Sequence, residues 1–394
     1  MSAAEAVQPY LGKDFYVPAF VFKLKGREEQ DVQHDVNSVT FTDSLTEIES
    51  CDLVINNWNT ASSPGARGEF KYSDSDTFDP WQDMSLDMGY YKSGKADLEP
   101  MLSGEIVRMT PNFPASGASS LSIHCVGLLH RFRTKQIDRD YVKKKDSFVA
   151  RELVNEVAKE VKEKVSTLRL SIDDEEINNN LKVEKEVEHL TVKQEYAINF
   201  LLRRSREIGY EFVMEEKDPN ANPRPVVFHY RPANSVLRPV YKLEWGKSLI
   251  SFQPSFAAAS QVNQVTVRAW DPTGKKTLIG KAKRSDLLKE GVLDPTADFQ
   301  VRQTPLADRE EIVTDEIVES QDEANELAKR RLRLIAQGLI EGRGKTLGLP
   351  KLRAGSKVEI AGLGRYDGNY VVTGTTHSLS ESGYTTDFNA RKEK

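Results

Sequence analysis

The sequence predicts a β-rich α+β chain: two tandem, related antiparallel β-barrels, an α+β domain between them, and a helical insertion in the second barrel. Three observations predict it. Short alternating apolar runs separated by turn-formers fill both ends of the chain. Helical periodicity is confined to the middle and to one late segment. The features of the first β region also recur in the second, as a duplicated unit requires.

Residues 15–130 carry the first set of strands: Phe20–Leu24, Val39–Leu45, Leu53–Trp58, Leu86–Met88, Glu105–Met109 and Leu121–Val126. Turn-rich stretches Ser62–Gly68 and Pro111–Gly117 separate them, as in a small sandwich or barrel. Residues 131–245 form the α+β domain. It opens on a basic stretch (Arg131, Arg133, Lys135, Arg139, Lys143–Lys145) that reads as a linker, its lysine stems lying along apolar surface. A helix starts near Asp146, a plausible N-cap, with Ala150, Leu153, Val154, Val157 and Val161 on one face. A second helix is predicted from a capping box at Thr191 and Gln194 and stops at Gly209. A hairpin, Tyr210–Met214 and Val226–Tyr230, follows.

Residues 246–272 and 345–394 form the second barrel, with strands at Ile250–Phe252, Val265–Trp270, Lys357–Ile360, Tyr370–Thr375 and Tyr384–Ala390. Residues 273–344 are the insertion, carrying a helix over 320–341 that opens with a capping box at Ser320 and Glu323. Residues 1–14 are an N-terminal arm. The repeat aligns Phe41 with Phe252, Trp58 with Trp270, Leu86–Met88 with Val358–Ile360, Gly104 with Gly368 and Gly117 with Gly383. Three chains with two equivalent domains each present six similar surfaces around a ring.

Composition narrows the function. The 394 residues imply two to four domains at about 150 residues each. With 55 Lys plus Arg against 60 Asp plus Glu, the net charge of −5 lacks the electrostatic footprint of a nucleic-acid binder. No apolar window approaches the roughly 18–20 residues that span a bilayer, and no secretory signal is readable. Two cysteines, Cys51 and Cys125, make neither a disulfide framework nor a four-ligand zinc site, and both read as buried strand residues of a cytosolic protein.

No catalytic constellation emerges. GRGKT at Gly342–Thr346 resembles the end of a phosphate-binding loop but lacks its first glycine and its preceding strand, and reads as a helix C-terminal loop. Asp74, Asp76 and Asp79 lack the glycine and terminal Glu of a calcium loop. His34, His124, His130, His189, His229 and His377 are scattered, with no metal-ligand pair at helical spacing. The expectation is therefore no enzyme, no cofactor and no metal.

Several segments, in this order and spacing, resemble the baseplate-hub family of contractile injection machines, the phage late control protein D group related to the N-terminal hub region of type VI secretion spike proteins. They are Val126–Phe132 (VGLLHRF), Leu190–Phe212, Leu243–Ser255 with Val267–Lys276, and Gly364–Lys392. The resemblance implies a homotrimeric, pseudo-six-fold ring that adapts a hexameric tail tube to a trimeric spike. Its implied partners are a second and third copy of itself, the tail tube protein, a separate spike protein and baseplate wedge proteins. Assembly is expected in the bacterial cytoplasm, into a phage tail or tail-like particle. The spike is expected to be separate because the chain stops after the second barrel. Expected interface residues are Leu53, Ile55, Trp58, Leu86, Met88, Val265, Val267, Trp270, Tyr370 and Val372. The acidic 74–87 region and the 273–318 excursion are candidates for wedge or spike contacts. The alternative is a cell-wall-directed hydrolase with β-type binding domains.

Overall fold

A computed structural model describes residues 17–393, apart from 60–69, 93–94, 165–167, 217–220, 222–223, 233–240, 272–273, 290–307, 315–317 and 319. The expected arm at residues 1–14 lies outside the described residues. In the first barrel, β1 (Val17–Leu24) turns through the two-residue β2 (Arg27–Glu28) and the short helix α1 (Gln30–Asp35). It continues as β3 (Val36–Ser44), β4 (Ser50–Asn56), β5 (Asp83–Lys92), β6 (Lys95–Asn112) and β7 (Ser120–Gly127). Alternation sends Val39, Phe41, Leu53, Ile55, Leu121 and Ile123 to one core, where all are fully buried. Cys51 and Cys125 face each other across β4 and β7 inside that core as free thiols.

The α+β unit contains β8 (Gln136–Lys144), α2 (Asp146–Lys164), β9 (Leu168–Ile172), α3 (Asp174–Val183), β10 (Val187–Tyr196), α4 (Ala197–Ile208), β11 (Tyr210–Glu216) and β12 (Arg224–Pro232). Its core gathers the α2 face with Phe132, Phe212 and Phe228, whose rings meet edge-on at 5.7 and 5.2 Å. Two expectations are corrected here. The basic stretch is not a linker: Gln136–Lys144 is a strand whose partner is β10. The Thr191–Gln194 capping box does not start a helix. Leu190 and Val192 alternate into the core instead, the Thr191 hydroxyl donates to Asp140 across the ladder, and the helix begins at Ala197. Once β8 offers a ladder, pairing overrides a local capping signal. Gly209 ends α4 in the left-handed conformation, at φ 74°, as expected.

The second barrel contains β13 (Tyr241–Glu244) and β14 (Leu249–Phe256). After the insertion come β18 (Ile340–Leu347), β19 (Lys357–Ala361), β20 (Gly368–Ser380) and β21 (Gly383–Lys392). The insertion holds β15 (Gln264–Asp271), β16 (Lys276–Lys283), α5 (Arg284–Lys289), β17 (Glu310–Val313) and α6 (Gln321–Gln337). Ser320 accepts the Glu323 N–H at 3.2 Å and caps α6, as its capping box predicts. Val265–Trp270, expected in the barrel, is not there: β15 pairs with β16 and β17, and Val265 and Val267 pack against Ala324, Ala328 and Leu332. The Gly342–Thr346 motif is strand β18 rather than a loop. Its glycines admit aromatic rings: a Cβ at Gly342 or Gly344 would stand 2.2 Å from the ring of Phe252 or Phe388.

Strand order makes the duplication explicit. The first barrel runs β3-β4-β7-β6-β5, the second β14-β18-β21-β20-β19. The β3–β4 ladder shifts register between Val36 and Ser38, and β14–β18 between Leu249 and Ser251. The β6–β7 ladder shifts between Ile106 and Arg108, and β20–β21 between Val372 and Gly374. Aligned on these bulges, Phe41 matches Pro254, Leu86 matches Ile360 and Gly104 matches Tyr370. The sequence alignment of the same strands is displaced by two residues, one pleat, because an alternating pattern repeats every two residues. The Trp58–Trp270 match fails outright: the counterpart of β4 is β18.

Gly344→Val should lower the free energy of unfolding by about 2 kcal/mol, the scale of an overpacked core. Gly338→Ala, with no neighbour closer than 3.6 Å, should not show that loss. Urea unfolding of the two variants checks this.

Candidate functional site

The two barrels meet at one strand. β20 pairs with β21 along one edge, while its other edge is split: Gly368–Val371 bonds to β19 and Gly374–Ser380 bonds to β3 of the first barrel. The gap between them is filled by a turn, with the Gly355 N–H donating to the Val372 carbonyl and the Val372 N–H to that of Ser356. All four backbone groups are thereby satisfied.

That turn carries Arg353 into the seam. Its Nε lies 2.6 Å from Asp43 Oδ2 on β3, and its Nη2 lies 3.5 Å from Glu49 Oε2. The guanidinium also stacks over Phe41, 4.5 Å from the ring centre. Asp43 additionally accepts the Thr375 hydroxyl at 2.5 Å and the Ala354 N–H at 3.2 Å. Burial raises the Asp43 pKa, but Arg353 and the Thr375 hydroxyl together outweigh it and hold the carboxyl below its usual value. For Glu49 burial wins over Arg353, and its pKa is pushed up to about 7. Beside them His377 hydrogen-bonds Tyr384 and the Leu352 carbonyl, both at 3.0 Å, and burial lowers its pKa to about 4, so it is neutral.

Glu49 and Arg353 form part of the wall of a cleft of about 950 Å³ between both barrels, the α4–β11 corner and α6. Asp43, with its oxygens committed to Arg353, Ala354 and Thr375, acts as a clamp on strands rather than as an acid presented to a substrate. Nothing in sequence spacing connects Asp43, Glu49 and Arg353. They converge only because β3 joins β20.

The expected interface residues divide sharply. Leu53, Ile55, Leu86 and Met88 are fully buried in the first barrel, Tyr370 and Val372 in the second, and Val265 and Val267 in the insertion. These eight are corrected to core residues, because each lies on the inward face of its strand and is spent on the chain's own packing. Trp58 and Trp270 are 50% and 61% exposed. Trp81 and Trp245 are 67% and 59% exposed, so every tryptophan in the chain is at the surface. Phe70 bridges to Trp58 and packs its ring, tilted, against the half-exposed Phe113 at 4.5 Å. In the acidic 74–87 region, Asp74 accepts the Phe70 N–H at 3.0 Å, a local turn contact. Among the described residues no helix is long and apolar enough to cross a membrane.

No curated protein matches the chain. A family model described as the Alg8 N-terminal domain matches residues 17–176 and 226–381, more than half of the chain. That description is not the family the sequence resembles; the solved structures share the fold that the resemblance implies. The 43 kDa tail protein of prophage MuSo2 from Shewanella oneidensis has a TM-score of 0.65 at 13% identity, over 95% of this chain and 98% of that one. A tail protein from Neisseria meningitidis MC58 has a TM-score of 0.62 at 12% identity, over 96% and 97%. An Escherichia coli component of the type VI secretion system has a TM-score of 0.52 at 12% identity, over 94% and 76%. These likenesses show the β-rich tail-protein fold.

Glu49→Gln should change how stability depends on pH. The folded state keeps a proton on Glu49 that the unfolded chain releases near pH 4.5, so stability from this group is complete below that pH and lost as pH rises through about 7. The variant should unfold like the parent near pH 5 and be more stable by about 2 kcal/mol near pH 8. A parent that is the more stable at pH 8 would show that the Arg353 contact outweighs burial.

Proposed function

This chain belongs to the family described as the Alg8 N-terminal domain and has the tail-protein fold, and from that premise we propose that it is a structural hub of a phage tail or tail-like injection particle. In this reading three copies close a pseudo-six-fold ring that adapts a hexameric tube to a trimeric spike, with wedge proteins outside it. The chain assembles before joining the particle and performs no catalysis.

One observation carries the reading. Within the chain, β3 of the first barrel adds to the edge of β20 beyond its filled gap. The first barrel repeats that geometry: β6 is the counterpart of β20, and the Trp81 N–H donates to the Ile106 carbonyl while the Ile106 N–H donates to that of Gln82. Beyond this filled gap, Val107–Asn112 has no strand on its β5 side among the described residues. The counterpart of β3 is β14, whose outer edge likewise carries no strand among them. Applying the internal contact once more puts β14 of one copy on β6 of the next, a head-to-tail contact that closes when the rotation does.

The bulge-aligned register sets Thr110 opposite Ser255 and Pro111 opposite Pro254. A proline on each edge, with no N–H to offer, blunts both against promiscuous strand addition. The exposed tryptophans suit anchors for tube, spike and wedge partners, since buried aromatic anchors dominate most protein interfaces.

Light scattering of the purified chain should give three times 44.4 kDa, alone or with a spike protein. Ser251→Lys with Gln253→Lys, charging the exposed face of β14, should reduce this to one times that mass while leaving the far-UV circular dichroism unchanged. A chain that stays monomeric alone and with tube or spike protein contradicts the reading.

A further inference from the structure

We propose that Asp173, Glu176 and His229 form a binding site for a divalent metal ion of the zinc class. The parallel register of β9 and β12 sets Ile172 beside Phe228. The next residue of each chain segment, Asp173 and His229, is therefore brought alongside the other. Asp173 caps α3: its Oδ1 accepts the Glu176 N–H at 3.1 Å, and its Oδ2 lies 3.7 Å from His229 Nδ1. Glu176 brings Oε2 to 2.9 Å from the same nitrogen. The three ligand atoms lie within 4.8 Å of one another. Tetrahedral coordination with bonds of about 2.1 Å holds ligand atoms about 3.4 Å apart. The 2.9 and 3.7 Å separations from His229 Nδ1 bracket that spacing.

Two further features favour an ion over a simple acidic turn. The far nitrogen of His229, Nε2, lies 3.1 Å from Glu215 Oε2. A carboxylate on that nitrogen fixes the tautomer and orients the ring, the usual outer partner of a metal-bound histidine. Charge is also unbalanced. Among the described residues Asp173, Glu176, Glu215 and Glu211 gather around His229, and Arg231 brings its Nε to 2.9 Å from Glu211 and 3.7 Å from Glu176. A divalent ion offsets that excess at its centre.

His229 is buried, but the Asp173 and Glu176 side chains stay 26% and 19% exposed, which leaves an ion and a water in the fourth position a route in. One imidazole and two carboxylates select a borderline or hard divalent ion rather than a soft one. Its effect would be structural, tying the N-terminus of α3 to β12 and, through Glu215, to β11.

The full chain, stripped by a chelator and dialysed against zinc, should retain one zinc per chain by atomic absorption and unfold at a higher temperature than the stripped form. His229→Gln and Glu176→Gln should each bind zinc at least ten-fold more weakly and lose the thermal shift. If His229→Gln does not fold, Glu176→Gln, whose side chain reaches solvent, carries the test alone. Failure of the parent to retain stoichiometric zinc, or undiminished binding by Glu176→Gln, overturns the proposal.

Discussion

The split edge of β20 is the constraint on which the rest of the molecule depends. A strand has two hydrogen-bonding edges, and β20 gives one to β21 and divides the other between its own barrel and its neighbour. A bulge between Val372 and Gly374 allows the division, and the Gly355–Ser356 turn satisfies the backbone where the partners change. Two barrels thus become one continuous sheet, and neither can turn relative to the other without breaking a ladder. The Asp43–Arg353–Thr375 contacts then fix which residues lie opposite. A buried ion pair is weak evidence for net stability, and its better-attested use is to specify register. That is the role its position here suits.

Much of the architecture was legible because it is written in periodicity. All six first-barrel strands, the helix faces, the Gly209 stop and the Ser320 cap follow from local chemistry. Register was not legible. Alternation is satisfied equally well two residues away, so the repeat looked right while its matched strands were one pleat out; only the bulges, invisible in a single sequence, fix it. The Thr191–Gln194 box failed for a related reason, since no local signal announces that a basic stretch fifty residues earlier is a partner strand.

The same limit governed the sites. The inward positions named as interface are the strongest apolar signals in their strands, and strong apolar signal marks core before it marks surface. The two tryptophans among them, Trp58 and Trp270, are the ones left exposed. Asp43 with Arg353, and Asp173 with His229, are juxtaposed by strand pairing across long sequence separations, beyond the reach of spacing rules.

In the proposed ring, the contact joining the two barrels inside one chain recurs between chains. Cross-linking of Thr110→Cys with Ser255→Cys in one chain tests it most directly, because Cys51 and Cys125 are buried and contribute little background. Oxidation should give a covalent species that accumulates at three chains and goes no further, with neither single variant cross-linking. Monomers alone, or an open ladder extending past three, would contradict it.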